Sequence, residues 1–200
     1  MQNVNQSEVL SFGETYHIYN KTVGNELMFK TENDYQYFLN KLTRFILPIS
    51  NIYAYCLIPN HFHLLLGIKE MDTISNLLHI ENENSMQRKF TNFFISYSKS
   101  FNKAHQRQGR LLLQSFKRIL VEDGDYFTSL INYIHRNPIH HGIVTNYMDW
   151  KYSSYNAFLS DHKTNIDKAE VLAYFDSLED FVTFHEENKI KPGTEKYYLE

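Results

Sequence analysis

The chain has 200 residues, 42% of them hydrophobic, so it is long enough to bury one substantial core and short for two independent domains. Its formal net charge of −3 argues, taken alone, against a nucleic-acid-binding protein. The single cysteine, Cys56, excludes disulfides within one chain, and no apolar stretch reaches the roughly 20 residues that span a bilayer. The first ten residues also lack the charged and apolar regions of a signal peptide, so these features together predict a cytoplasmic protein without a membrane segment.

Alternating aromatic and β-branched residues predict strands in this chain, and apolar residues at every third or fourth position predict helices. In chain order the predicted elements are a strand at 15–22, a helix at 32–46, strands at 52–58 and 61–68, a helix at 85–108, a strand at 110–121 and a helix at 125–136. Thr31 is the expected N-cap of the first helix, and Pro138 is expected to halt the last. This order predicts an α+β fold, with a ferredoxin-like antiparallel sheet and helices packed on it.

The character of the chain changes after about Tyr147. Residues 149–200 hold 11 acidic and six basic side chains, and two short helices are predicted near 168–176 and 178–187. The predicted division is therefore a main domain at residues 1–147 and an acidic, mostly helical C-terminal extension at residues 148–200.

Basic residues are concentrated in one segment. Between Arg88 and Val121 there are eight Lys or Arg and no Asp or Glu, although the chain as a whole is acidic. Such a segment can focus a polyanion onto one face of a protein, or it can be an ordinary solvated helix surface. Both interpretations are compatible with the composition.

Two pairs of residues carry candidate chemistry. His61 and His63 are two apart in a predicted strand, so both imidazoles project from one face, where they could bind a divalent metal or be an ordinary histidine pair. Tyr133 and Asn137 are four apart in a predicted helix and share a face. A phenol can attack a phosphodiester and an amide oxygen can bind a hard cation, but a core tyrosine and a helix-end asparagine would show the same spacing.

Several stretches, taken in order, resemble the single-tyrosine HUH transposases of small bacterial insertion sequences and their REP-associated relatives. The resemblance covers about residues 14–155 and is carried by YHIYNK (Tyr16–Lys21), Met28-Phe29, AYCLIPNHFHLLL (Ala54–Leu66), YIHRNPIHHGIV (Tyr133–Val144) and WKYSSY (Trp150–Tyr155). The chain departs from the family pattern at Ile58, where Met is commoner, and at residues 139–141, which read Ile-His-His.

This resemblance implies a single-tyrosine HUH domain at residues 1–147, with Tyr133 as the nucleophile and Mg²⁺ or Mn²⁺ held by His61, His63 and Asn137. It implies a transposase-like endonuclease and strand transferase that acts on single-stranded, hairpin-containing DNA through a 5′-phosphotyrosine intermediate. The residues expected to contact the DNA backbone are Lys99, Lys103, Arg107, Arg110, Lys117 and Arg118. Four further histidines in or near the motifs are expected to be structural or to contact phosphate: His17, His135, His140 and His141.

Two alternatives compete with this interpretation. A non-catalytic protein that binds DNA hairpins or repeats would be derived from such an enzyme, and an HxH phosphohydrolase would use water in place of the tyrosine. The resemblance also leaves two assemblies open, a homodimer that exchanges the tyrosine helix and a monomer that keeps it.

Overall fold

The structure of the protein is a computed structural model, and it describes residues 9–78 and 80–187. The strands are β1 (Thr15–Lys21), β2 (Ser50–Ile58), β3 (His61–Ile68) and β4 (Lys117–Leu120). The helices are α1 (Glu32–Phe45), α2 (Met71–Leu78), α3 (Glu83–Ala104), α4 (Gly124–His140), α5 (Tyr155–Phe158), α6 (Lys168–Leu172) and α7 (Leu178–Glu186). None of these helices is both long enough and apolar enough to cross a membrane.

The four strands form one antiparallel sheet in the order β2-β3-β1-β4. Strand β3 therefore lies between β1 and β2, which are connected through α1 in a split β-α-β arrangement. In the register, Tyr19 of β1 lies opposite His63 of β3 on one side and opposite Lys117 of β4 on the other. The predicted α+β fold with a ferredoxin-like antiparallel sheet is confirmed.

Helices cover both faces of the sheet. On one face the ring of Phe62 packs against Phe38 of α1 and Phe94 of α3, with centroids 5.1 and 5.3 Å apart. On the other face α4 crosses β3, and Tyr133 lies against His63. Strand β3 is consequently buried along its whole length, and the face under α4 is the one that carries polar side chains.

The predicted first helix begins as expected. Thr31 precedes α1 in an extended conformation, and its backbone N–H donates to the carboxylate of Asp34 at 2.8 Å. This bond satisfies one of the N–H groups that a helix start would otherwise leave unpaired.

The prediction that Pro138 halts the last helix is wrong, because α4 continues to His140. A proline has helical φ and removes only one N–H donor near a helix end, and the N–H of His141 still donates to the carbonyl of Asn137 at 3.1 Å. The helix predicted at 85–108 ends at Ala104, since Gln106 adopts a positive φ of 51°.

The strand predicted at 110–121 is also too long. Only the part at Lys117–Leu120, which is β4, forms a regular ladder with β1. Closer to the start of the predicted strand, Leu112 makes one isolated bridge, with Thr22. The three consecutive side chains at residues 113–115 are exposed. Three exposed neighbours break the alternation of a half-buried strand, so the ladder is interrupted there.

The segment after α4 packs against the free edge of β2. The N–H of Leu57 donates to the carbonyl of Tyr152 at 3.0 Å, and the N–H of Asp167 donates to the carbonyl of Ile52 at 2.8 Å. These bonds cover an edge strand that would otherwise expose unpaired backbone groups. The division into residues 1–147 and 148–200 stays a prediction, and residues 1–8 and 188–200 lie outside the described residues.

Candidate metal and nucleophile site

Two imidazoles on β3 form one wall of the candidate site. His61 and His63 project from the same face of the strand, and their ring centroids lie 5.2 Å apart with the ring planes nearly perpendicular. Both side chains are buried, to 8% and 2% exposure. Because the strand alternates, the intervening Phe62 is directed to the opposite face, where it anchors β3 in the core.

Helix α4 supplies the opposite wall. Tyr133 meets the ring of His63 edge-on at 5.3 Å between centroids, and it is 8% exposed. One turn further along, Oδ1 of Asn137 lies 3.0 Å from Nε2 of His61. The four side chains that the sequence patterns assign to nucleophile and metal binding thus come together between β3 and α4.

His61 lies between two amide side chains. Its Nδ1 is 2.9 Å from Oδ1 of Asn60, and its Nε2 is 3.0 Å from Oδ1 of Asn137. A neutral imidazole has one N–H, so it can donate to only one of these two oxygens. If the Nδ1 proton goes to Asn60, the lone pair of Nε2 is directed toward Asn137, which is the arrangement of two ligands of one cation.

His63 is held from the other side by β1. Its Nδ1 lies 2.9 Å from Nε2 of His17, and the two rings are stacked with centroids 5.1 Å apart. Burial lowers the pKa of His17 to about 3. The pKa of His63 is held well below its usual value by burial and, to a smaller extent, by the neighbouring imidazoles. Both rings are therefore neutral at physiological pH, and neutral imidazole is the form that binds metals.

The donor set fits a divalent cation. Within the described residues no three His, Cys, Asp or Glu side chains form a group that could hold a metal, but the candidate set consists of two imidazoles and an amide. Two neighbouring ligands of an octahedral ion at about 2.1 Å lie roughly 3 Å apart, which agrees with the separation of His61 and Asn137. Nε2 of His63 is buried without a hydrogen-bond partner in the described part of the chain, so it can serve as the third ligand.

Two of the other motifs brace the turn that precedes His61. The backbone N–H groups of Met28 and Phe29 both donate to the carbonyl of Pro59, at 2.9 and 3.1 Å. The indole N–H of Trp150 donates to the carbonyl of Leu57 at 2.8 Å. Both segments therefore fix the hairpin from which the two histidines project.

The six cationic residues predicted to bind DNA lie in different parts of the structure. Lys99, Arg110 and Arg118 line a groove of about 460 Å³ between α3 and residues 109–118. Lys117 lies opposite Tyr19 in the β1–β4 ladder, on the face of the sheet that carries the histidines.

The other two residues predicted to bind DNA lie elsewhere. Lys103 is exposed near the end of α3. Arg107 donates to the carbonyls of Gly109 and Arg110, at 3.3 and 2.8 Å, and its Nε lies 3.4 Å from the carboxylate of Glu26. The Arg107 guanidinium therefore braces the loop after α3.

Three residues that the sequence patterns did not assign to the site also lie in it: His17, Tyr19 and His141. His17 and Tyr19 are two apart on β1, so alternation alone places them on one face, and their rings stack at 4.8 Å. His141 lies 4.8 Å from the ring of His61. A ferredoxin-like sheet has β1 beside β3, but the sequence could not show the register between them, which brings the first two against His63.

The sheet carries a His-Phe-His strand with a helical tyrosine beside it, which is the arrangement that the resemblance to single-tyrosine HUH transposases predicted. A scan against models of protein families finds no match. A curated relative from Haemophilus influenzae, which carries the provisional name REP-associated tyrosine transposase, is 30% identical over 105 residues. The match covers 52% of this chain and 57% of the relative, so it spans a little over half of that protein's length.

A solved structure described as a REP-associated tyrosine transposase bound to a REP hairpin has the same fold. It superposes with a TM-score of 0.55 and 17% identity, over 78% of this chain and 86% of that one. The resemblance predicted from the motifs is confirmed: the chain is similar in sequence to one REP-associated tyrosine transposase and in fold to another.

Proposed function

We propose that this chain is a DNA strand-cleaving and rejoining enzyme of the tyrosine transposase type, which acts on single-stranded DNA that contains a hairpin. The observation that carries the proposal is the convergence of Tyr133, His61, His63 and Asn137 between β3 and α4. The similarity to a REP-associated relative and to a structure bound to a REP hairpin supports the class of substrate.

In this proposal the phenol oxygen of Tyr133 attacks the phosphorus of a scissile phosphodiester. A bond forms between Tyr133 and phosphorus, and the bond from phosphorus to the 3′-oxygen breaks. The tyrosine loses its proton and the departing 3′-oxygen gains one, so the products are a 5′-phosphotyrosine and a free 3′-hydroxyl. Since one phosphodiester replaces another, attack by a 3′-hydroxyl can reverse the step and rejoin strands without a nucleotide cofactor.

The residues around Tyr133 have separate tasks in this scheme. A divalent cation bound by His61, His63 and Asn137 supplies Lewis-acid stabilisation of the charge on the phosphate oxygens. The groove that contains Lys99 and Arg110 supplies positive charge for the backbone of the DNA.

The site is complete within one chain, because Tyr133 of α4 lies against His63 of the same molecule. We therefore propose that the tyrosine acts in cis. Exchange of α4 between two subunits would rebuild the same contacts in a homodimer.

The test is to incubate the protein with Mn²⁺ and labelled single-stranded hairpin DNA and to look on a denaturing gel for DNA linked to protein. We expect a linked band from the wild type and none from Tyr133→Phe or His61→Ala. Tyr174→Phe is a matched control, since this tyrosine is half exposed and lies against Phe127, near the start of α4. It should give the wild-type band.

The alternatives give different gels. A protein that binds hairpins without cleaving them would shift the DNA on a native gel and leave it intact on the denaturing gel. A phosphohydrolase would yield cut DNA without a linked band, and Tyr133→Phe would still cut. Either result would overturn the proposal.

A further inference from the structure

The contact between His17 and His63 has a chemical consequence for the metal site. The 2.9 Å separation of His17 Nε2 and His63 Nδ1 is a hydrogen bond, so one of the two nitrogens carries the shared proton. Two arrangements are possible, and they differ in what they leave at the opposite nitrogen of His63.

If His17 donates, the only N–H of His63 is at Nε2, and that nitrogen cannot bind a cation. If His63 donates from Nδ1, its Nε2 presents a lone pair to the space between β3 and α4. A metal at His63 is therefore compatible only with His17 as the hydrogen-bond acceptor. Histidine ligands commonly require such an outer partner, which fixes the tautomer and the ring orientation.

The surroundings of His17 suit this role. Its side chain is buried, stacks on Tyr19, and meets the edge of the Tyr133 ring at 6.2 Å between centroids. Strand β1 fixes its position through the ladder with β3. The Nδ1 of His17 has no hydrogen-bond partner in the described part of the chain, so no carboxylate fixes the tautomer of His17. The tautomer of His17 can therefore follow the position of the proton on His63.

We propose that His17 is a positioning residue for the metal site. Its Nε2 accepts a hydrogen bond from the Nδ1–H of His63, which leaves the lone pair of His63 Nε2 to bind the cation. The inference rests on the proposed function, because it presupposes the metal at His61, His63 and Asn137. The inference adds His17 of β1 to the three proposed ligands, as a residue that contacts the ligand His63 and does not contact the cation.

The first experiment measures Mn²⁺ affinity by titration with detection of free Mn²⁺ by electron paramagnetic resonance, without DNA. His17→Phe keeps an aromatic ring in the stack and removes the acceptor, so the dissociation constant should rise by about 10- to 100-fold. His17→Gln offers a carbonyl oxygen of similar reach and should bind Mn²⁺ more tightly than the Phe variant. Tyr174→Phe is the control: this tyrosine is half exposed and lies against Phe127, so the variant spares the histidine bond and should leave the affinity unchanged.

The second experiment reads the tautomer directly, from the imidazole nitrogen resonances of the Mg²⁺-loaded protein. We expect the proton of His63 on Nδ1 in the wild type, hydrogen-bonded to His17. A proton on Nε2 in the loaded protein would overturn the inference, as would equal Mn²⁺ affinity of wild type and His17→Phe. Equally weakened Mn²⁺ binding in the Phe and Gln variants, matched by equal decreases in thermal stability, would show a purely structural residue. If the wild type bound no Mn²⁺, the metal site itself would be refuted, and with it the role of His17.

Discussion

Replacing His185 with phenylalanine should give a protein whose free energy of unfolding is smaller than that of the wild type at neutral pH and larger than that of the wild type in acid. His185 on α7 is fully buried, and its Nε2 lies 2.9 Å from Nδ1 of His135 on α4. His135 in turn lies 2.8 Å from the hydroxyl of Ser154. The bond between His135 and His185 connects α7 to α4, the helix that carries Tyr133.

The decrease at neutral pH follows from the hydrogen bond. A phenylalanine keeps the ring contacts with Phe181 and Tyr155, but it leaves Nδ1 of His135 buried without its partner. An unsatisfied buried polar group costs about 1–3 kcal/mol. For a chain of this length that cost corresponds to a fall in Tm of roughly 2–12 °C.

The change in acid follows from the pKa of His185, which burial lowers to about 4 from 6.5. A histidine with a lowered pKa binds its proton more readily in the unfolded chain, so the wild type becomes less stable as pH falls from 6.5 toward 4. That decrease is about 1.4 kcal/mol near pH 5.5 and about 2 kcal/mol near pH 5. Phenylalanine does not titrate, so a variant about 2 kcal/mol weaker at neutral pH should match the wild type near pH 5 and exceed it below.

Urea unfolding of both proteins at a series of pH values from 4 to 8 provides the measurement. Curves of unfolding free energy that converge and then cross as pH falls would support the buried neutral pair. Parallel curves across the whole range would refute it, because they would show that His185 binds protons equally in the folded and unfolded states.

Two predictions concern the basic segment. Lys99→Ala or Arg110→Ala should weaken binding of single-stranded hairpin DNA and reduce the slope of log K against log salt by about 0.7 for each phosphate that the variant no longer neutralises. Fluorescence anisotropy over a salt series measures this, and a slope equal to that of the wild type would contradict the prediction. Arg107→Ala should instead lower the unfolding free energy by about 1–2 kcal/mol, because alanine cannot donate to the loop carbonyls, while the salt slope stays unchanged. A smaller slope for Arg107→Ala would assign this residue to DNA binding.

Much of the fold could be predicted because the relevant signals are local. The capped start of α1 at Thr31 and the strands predicted at 52–58 and 61–68 all depend on residues within a few positions of one another. The error at Pro138 arose from a local rule that was applied too strictly. Pro138 lies inside α4 because the residues after it still find helical carbonyls.

The candidate site was predictable in part for the same reason. Alternation places His61 and His63 on one face of a strand, and helical spacing places Tyr133 and Asn137 on one face of a helix. The resemblance to a known family then grouped the two pairs. Their roles stay predictions, and the structure adds that the pairs meet, with Asn137 beside His61.

The sequence by itself determined which side chains share a face, because the periods of strands and helices are properties of the backbone. Only the tertiary structure decided which faces meet. His17 and His63 are 46 residues apart, and His135 and His185 are 50 apart. The first contact depends on the order and register of the strands and the second on the docking of α7 against α4, and neither arrangement leaves a periodic signal in the chain.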